Sequence, residues 1–277
     1  MKQRANITVA RLRILVLAVW LFIVLIPLLI VILNSFKTMS ELRFSPLRLP
    51  EVFQFSNYSK AFIEADMLRA FGNSIWITLF AVLSIVVFAS MAAYPIARGN
   101  PRWSKAAFFY FLSGMMVPFQ LAMVPLYKVL NSLHLIGTHA GVIFIYCSSA
   151  MGLAIFLYSG FLKTVPRELE EAALIDGAGT FRTFWSIVFP LIKPISATVA
   201  ISNSLFIWND FFVPLLFLQS KSAHTIPLSI YSFRNDNMTE WTLLFAAIVI
   251  AALPLVLLFI VMQKHFIQGL TGGAIKS

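Results

Sequence analysis

Few residues of this 277-residue chain have both the type and the placement to do chemistry. Within its long apolar runs, the side chains able to hydrogen-bond a polar solute are Gln120, Asn203, Asn209 and Asp210, with the indole of Trp208 beside them. Polar groups are costly inside lipid, so residues of this kind mark a transport path by default. Amides, a carboxylate and an aromatic face are also what a sugar requires. Asn203 and Asp210 are seven positions apart and share one face of an unbroken helix. Helix–helix hydrogen bonding for the asparagines and a structural partner for Asp210 remain the competing reading.

Catalysis has no foothold in these runs. They carry no H-E-x-x-H, no G-x-S-x-G and no paired-acid cluster. There is no G-x-x-x-x-G-K-[ST] either. Gly177-Ala178-Gly179-Thr180 is glycine-rich but lacks the lysine and a preceding strand. Cys147 is the sole cysteine, so no intrachain disulfide and no Cys/His metal spacing can form. His134 and His139 flank a short turn without a third ligand. Asn57-Tyr58-Ser59 and Asn237-Met238-Thr239 match a glycosylation acceptor pattern and are chance matches in a bacterial protein. The expectation is a protein that is not an enzyme and binds no metal or cofactor.

The second concentration of polar residues is Val165 to Pro194, an amphipathic insert between two apolar runs. Pro166 suits a first helical position. Glu168, Glu170 and Glu171 crowd the first turns, where carboxylates match the helix dipole. Leu169, Ala172, Ala173 and Asp176 fall at i, i+3, i+4 and i+7, a small-residue face that a partner could approach closely. Gly177 is placed to end the helix in a left-handed conformation. Thr180 can cap a second helix whose apolar face is Phe181, Phe184, Trp185 and Val188. Pro190 and Pro194 then reset the chain. A helix lying on lipid is the bland alternative. The three acids argue against it, because the inner leaflet is itself negative.

The elements that position these residues follow from composition. Hydrophobic residues make up 60% of the chain and charged residues 12%, with a net charge of +10. Soluble domains carry about twice that charge fraction. The basic residues sit in short clusters beside apolar runs, which reads as membrane topology rather than nucleic-acid binding. The predicted fold is an all-α polytopic membrane protein with spans at 14–33, 73–97, 106–129, 140–162, 195–218 and 243–262. The 20 residues from Ile14 to Leu33 match a hydrocarbon core of roughly 30 Å. No small-residue cleavage site follows at Asn34-Ser35-Phe36, so this run is expected to be retained. With the N-terminus inside, 13 Lys and Arg fall on inner segments and 8 on outer ones, five of the eight in the long 34–72 loop. That places both termini and the 163–194 loop, which joins the fourth and fifth spans, in the cytoplasm. A short surface helix is expected between Pro50 and Arg69. The third span, with Pro118 and Pro125 flanking Gln120, is the one expected to bend.

Glu171-Ala172-Ala173, three residues, Gly177, nine residues, then Ile187-Val188-Phe189-Pro190 resembles the EAA loop of bacterial ABC importer permeases. The family pattern is E-A-A, three, G, nine, I-x-L-P, and Phe189 departs from it at the leucine. Asp176-Gly177-Ala178 and Pro190-Leu191 bring the insert closer to carbohydrate permeases of the maltose type. So do Phe206-Ile207-Trp208-Asn209-Asp210-Phe211 with Pro214-Leu215, and the tail Gln263-Lys264-His265-Phe266 with Gly269, Leu270 and Gly273.

The resemblance implies a multi-pass permease of the bacterial inner membrane. It implies a second related permease, two cytoplasmic ATPase subunits that use the ATP, and an extracellular binding protein delivering a sugar or oligosaccharide. It implies an ATPase-coupling role for Glu171, Ala172, Ala173, Asp176, Gly177 and Pro190, with Glu171 paired to a basic residue of the ATPase. A self-contained secondary transporter or channel is the runner-up. Such proteins show internal repeats and midplane charges, and here Asp210 is the only acid well inside a span.

Overall fold

The structure, a computed structural model, describes residues 2–234 and 239–272, with side chains described for 11–234, 239–257 and 260. Asn237 and Met238 of the second acceptor pattern and Gly273 of the tail lie outside the described residues. From Gln263 onward only the helical backbone is described.

The helices are α1 (Lys2–Ser35), α2 (Met39–Phe44), α3 (Ser56–Glu64), α4 (Met67–Arg98), α5 (Pro101–Gly114), α6 (Phe119–Ser132) and α7 (His139–Leu162). The insert holds α8 (Glu168–Ile175), α9 (Thr180–Thr183), a π-helical turn at Phe184–Val188, and α10 (Phe189–Leu191). Then follow α11 (Lys193–Asn209), α12 (Phe212–Phe217), α13 (Ile226–Tyr231) and α14 (Trp241–Gly272). Among the described residues the only β feature is an isolated bridge between Arg234 and Thr239. Apolar runs in lipid must satisfy their own backbone, which selects helix.

Three of these helices are long and apolar enough to cross a bilayer: Arg11–Ser35, Met67–Arg98 and His139–Leu162, with mean hydropathy 3.3, 2.4 and 2.1. The expected third span is two helices, α5 and α6, meeting at 97° across residues 115–118. Pro118 caps α6, and its ring keeps Val117 out of helical geometry. Pro125 stays inside α6, as Pro27, Pro95 and Pro254 stay inside α1, α4 and α14. The Thr180–Leu191 segment and α11 meet at 75°. Counting each bent pair once gives up to five spans, and Trp241–Leu257 is a further, shorter apolar helix.

The expected fifth span, 195–218, is interrupted. Asp210 is extended (ψ 126°) and separates α11 from α12. Pro214 has no N–H to offer the Asp210 carbonyl, so the helix cannot run through. The i, i+7 relation between Asn203 and Asp210 therefore does not hold. The surface helix expected within 50–69 is α3, but Leu68 and Arg69 belong to α4.

The chain divides into two compact units, Met1–Met67 with Ser229–Pro254, and Leu68–Leu228 with Leu255–Ser277. In the first, the fully buried Lys37 donates from Nζ to the carbonyls of Ser45 (2.7 Å) and Pro46 (3.1 Å). Asn57 Nδ2 donates to the carbonyls of Ser35 and Lys37, each at 2.9 Å. Thr38 and Glu41 form a capping box on α2. The Glu51 backbone N–H donates to Glu41 and holds its carboxyl below the usual range. In the second unit α4 lays Ile77, Ala81, Ile85, Ala89 and Ala93 into the core at four-residue spacing, with Val142, Ile145, Ala154 and Tyr158 of α7 in the same cluster. Small residues let helices approach closely where lipid provides no hydrophobic drive between them.

Candidate functional site

The polar insert is a built object. α8 begins at Glu168 with Arg167 at its N-cap, so Pro166 precedes the helix by two residues instead of opening it. Three glutamates fill the first turn, as the dipole favours. The helix ends in a paired cap. The N–H of Gly177 donates to the carbonyl of Leu174 (3.1 Å) and that of Ala178 to Ala173 (2.9 Å). Gly177 has φ +80°, the left-handed residue that this cap requires. Thr180 is the first residue of α9; Gly179 holds the cap position and no side chain caps it.

α8 has two unlike faces. Glu170 and Ala173, three apart, turn inward and are 6% and 7% exposed. Glu171, Ala172, Asp176 and Gly177 turn outward, as do Leu169, Leu174 and Ile175, the last 87% exposed. The four positions grouped by spacing thus divide: Ala173 packs into its own chain, and Leu169, Ala172 and Asp176 remain free.

Glu170 is gripped by the end of α4. Arg98 Nη2 lies 2.7 Å from Glu170 Oε1, and Nε donates to the same oxygen at 2.9 Å. The Nη2 group also donates to the Val165 carbonyl at 2.8 Å. Tyr94, one turn earlier, donates its hydroxyl to Glu170 Oε2 at 3.0 Å. Its ring lies 5.4 Å from Phe184, which is buried in the π turn. Only 12% and 8% of the Arg98 and Glu170 side chains is exposed. Removing one partner of a buried ion pair costs about 3–5 kcal/mol, because the other charge stays desolvated.

The second apolar face of the insert also divides. Phe184 and Val188 are buried, Trp185 is half-buried, and Phe181 is exposed. Trp185 packs at 5.1 Å from Phe184 and 4.9 Å from Phe189. The Phe189 N–H reaches back five residues to the Phe184 carbonyl. Pro190, exposed, follows directly within α10.

The candidate path residues do not converge. Gln120 is exposed in the first turn of α6, just after the 97° break. Asn203 and Asn209 spend their amides on carbonyls of their own helix, Val199 and Leu205, each at 2.8 Å. Trp208 packs 6.4 Å from Phe71. Asp210 accepts from the N–H groups of Phe212 (2.9 Å) and Val213 (3.3 Å) and from the Tyr146 hydroxyl (2.8 Å). That is the geometry of a helix cap anchored to α7. Among the described residues no three His, Cys, Asp or Glu cluster to hold a metal ion.

Sequence reasoning passed over Arg98, Tyr94 and the inward role of Glu170, and over Leu174 and Ile175 outside. The available signal was the i, i+4 pair Tyr94/Arg98 at the end of a span, facing an insert with three acids.

Residues 85–272, which contain the clasp and the whole insert, match the family described as binding-protein-dependent transport system inner membrane component. The chain belongs to this family. It is 41% identical over 252 residues to the melibiose/raffinose/stachyose import permease protein MelC of Bacillus subtilis (strain 168), covering 91% of each chain. It is 36% identical to the probable starch degradation products transport system permease protein AmyC of Thermoanaerobacterium thermosulfurigenes, covering 90% of this chain and 91% of that one. The fold matches a bacterial ABC transporter involved in the import of the acidic polysaccharide alginate, with a TM-score of 0.82 and 20% identity over 95% of this chain and 98% of the other. The resemblance drawn from the insert is borne out: the chain is a multi-pass inner-membrane transport permease of the ABC importer type, not an enzyme.

Proposed function

We propose that this permease forms half of an ATP-driven import path for an oligosaccharide delivered by an extracellular binding protein. The other half is a second, related permease, and two cytoplasmic ATPase subunits supply the energy. This chain itself holds no nucleotide or other cofactor. The observation that carries the reading is the outer face of α8. Glu171, Ala172, Leu174 and Ile175 stand exposed on a helix that is capped at Gly177 and held from beneath. An exposed apolar residue between acids suits a basic-rimmed protein groove better than water or an anionic leaflet. The six-span layout, with both termini and the 163–194 loop in the cytoplasm, agrees with this reading. Relatives named for melibiose, raffinose, stachyose and starch products support a substrate of about two to four hexoses.

The test is a pulldown followed by uptake. The tagged chain, solubilised from its host, should bring down a second permease and an ATPase. Vesicles holding that complex should import labelled raffinose or maltotriose only with ATP and binding protein. Glu171→Lys should cut ATP-driven uptake about tenfold or more, since like charge at a docking rim costs more than 1.4 kcal/mol. Isolation as a lone active carrier, or full uptake by Glu171→Lys, would overturn the reading.

A further inference from the structure

We propose that Tyr94 and Arg98 of α4 are positioning residues that turn movement of the α8 loop into movement of α4, with Glu170 as the point gripped. The inference rests on the coupling role proposed above for α8, and it adds the route by which displacement leaves the loop.

α8 has only eight residues and is joined to the rest of the chain by two yielding connections. On one side run the turn at Lys163–Thr164 and Pro166; on the other run Gly177, Ala178 and Gly179. A push on the outer face would be absorbed in these joints if the main chain were the only connection. Arg98 bypasses the first joint. Its Nη2 group holds the Val165 carbonyl at 2.8 Å and the Glu170 carboxylate at 2.7 Å, so residues 165–170 are tied to α4 at both ends. Tyr94 bypasses the second. It holds Glu170 at 3.0 Å while its ring packs on Phe184, beyond the glycines. One face of α4, residues 94 and 98, thus grips both arms of the insert.

The grip is dry enough to transmit force. At 12% and 8% exposure, water has little access to replace the Arg98–Glu170 contact. Arg98 is the last residue of a 32-residue helix. Its inner stripe, Ile77 to Ala93, packs in the core beside α7. Displacement at the end of α4 therefore reaches the core as a rigid-body shift. The neighbouring Glu171 has no such attachment to its own chain and stays available to a partner.

The experiment uses the complete transporter, purified through a tag on this chain, with amide hydrogen exchange measured with and without ATP and vanadate. In the unaltered complex, exchange should change in both α8 and residues 85–98 of α4. In Arg98→Gln, α8 should still respond. The α4 response should fall by about fivefold or more, the low end of ordinary coupling between sites. Tyr94→Phe keeps the ion pair and the ring contact, so its complex should assemble; its α4 response should fall by a smaller factor. Should Arg98→Gln fail to assemble, Tyr94→Phe decides alone, and an α4 response equal to that of the unaltered protein overturns the clasp. A full α4 response in Arg98→Gln overturns it too. No response of α8 in the unaltered complex would instead refute the coupling role beneath it.

Discussion

Gly177 offers a clean perturbation of the insert. Its φ of +80° lies where an L-residue pays a steric cost against its own carbonyl. A Cβ built on this glycine meets nothing within 4 Å. Gly177→Ala therefore changes the backbone preference and adds no clash with the surroundings. The expected cost is about 1–2 kcal/mol, which shifts the ratio of capped to opened helix end by roughly 5- to 30-fold. The observable is amide exchange at residues 177 and 178, whose N–H groups close the cap onto Leu174 and Ala173. Protection at both should drop by that factor in Gly177→Ala. It should drop less in Gly177→Asn, because Asn visits the left-handed region several-fold more readily than other residues. Gly177→Leu should match Gly177→Ala, since open space receives either side chain. Unchanged protection in Gly177→Ala would refute the claim that the left-handed cap holds the end of α8. A Leu variant far worse than Ala would show that the site is sterically closed.

Two further outcomes follow from the helix contacts. At Gly152 a Cβ would stand 2.6 Å from Met115 Cγ and 2.8 Å from the Phe111 carbonyl oxygen, so Gly152→Ala must push α5 from α7; it should cost about 1–3 kcal/mol, seen as a lowered melting temperature, whereas Gly160→Ala, with nothing within 4 Å, should melt unchanged. Asp210→Asn keeps an oxygen for the Phe212 and Val213 N–H groups and should retain stability and uptake, while Asp210→Ala removes the cap and should cost about 0.5–2 kcal/mol; loss of uptake in the stable Asn variant would mean that the carboxylate serves transport rather than the helix end.

Span positions were legible because lipid leaves the backbone one answer: a run of about 20 apolar residues must be helix. The break beside Pro118 was legible for a related reason, since proline restricts its predecessor. The break at Asp210 was less so. Its cause, Pro214, sits four residues downstream, and the capping carboxylate looks in sequence like a buried charge awaiting a solute. Helix starts were off by one or two residues at Pro166 and Thr180, because the candidate capping side chains competed with backbone geometry that the linear chain does not reveal. The left-handed end at Gly177 was readable, because only the achiral residue suits it.

The facing of the two adjacent acids could not be read locally. Glu170 and Glu171 have the same chemistry and sit about 100° apart around the helix. Either could have been the inward one. The choice is made from outside α8, by Arg98 and Tyr94 reaching from a helix more than 70 residues earlier, and by Ala173, small enough to lie against its own chain one turn beyond Glu170. Rotating α8 by one residue would bury Glu171 and Leu174 in their place, putting a leucine where an alanine fits and removing Ala173 from the contact. The register is thus held by an ion pair and a size constraint together. It leaves Glu171, Ala172 and Ile175 facing outward before any partner arrives. A face fixed in advance costs little ordering on binding. A partner pressing on it displaces the whole helix rather than folding it, and displacement is what a gripped Glu170 can pass on to α4.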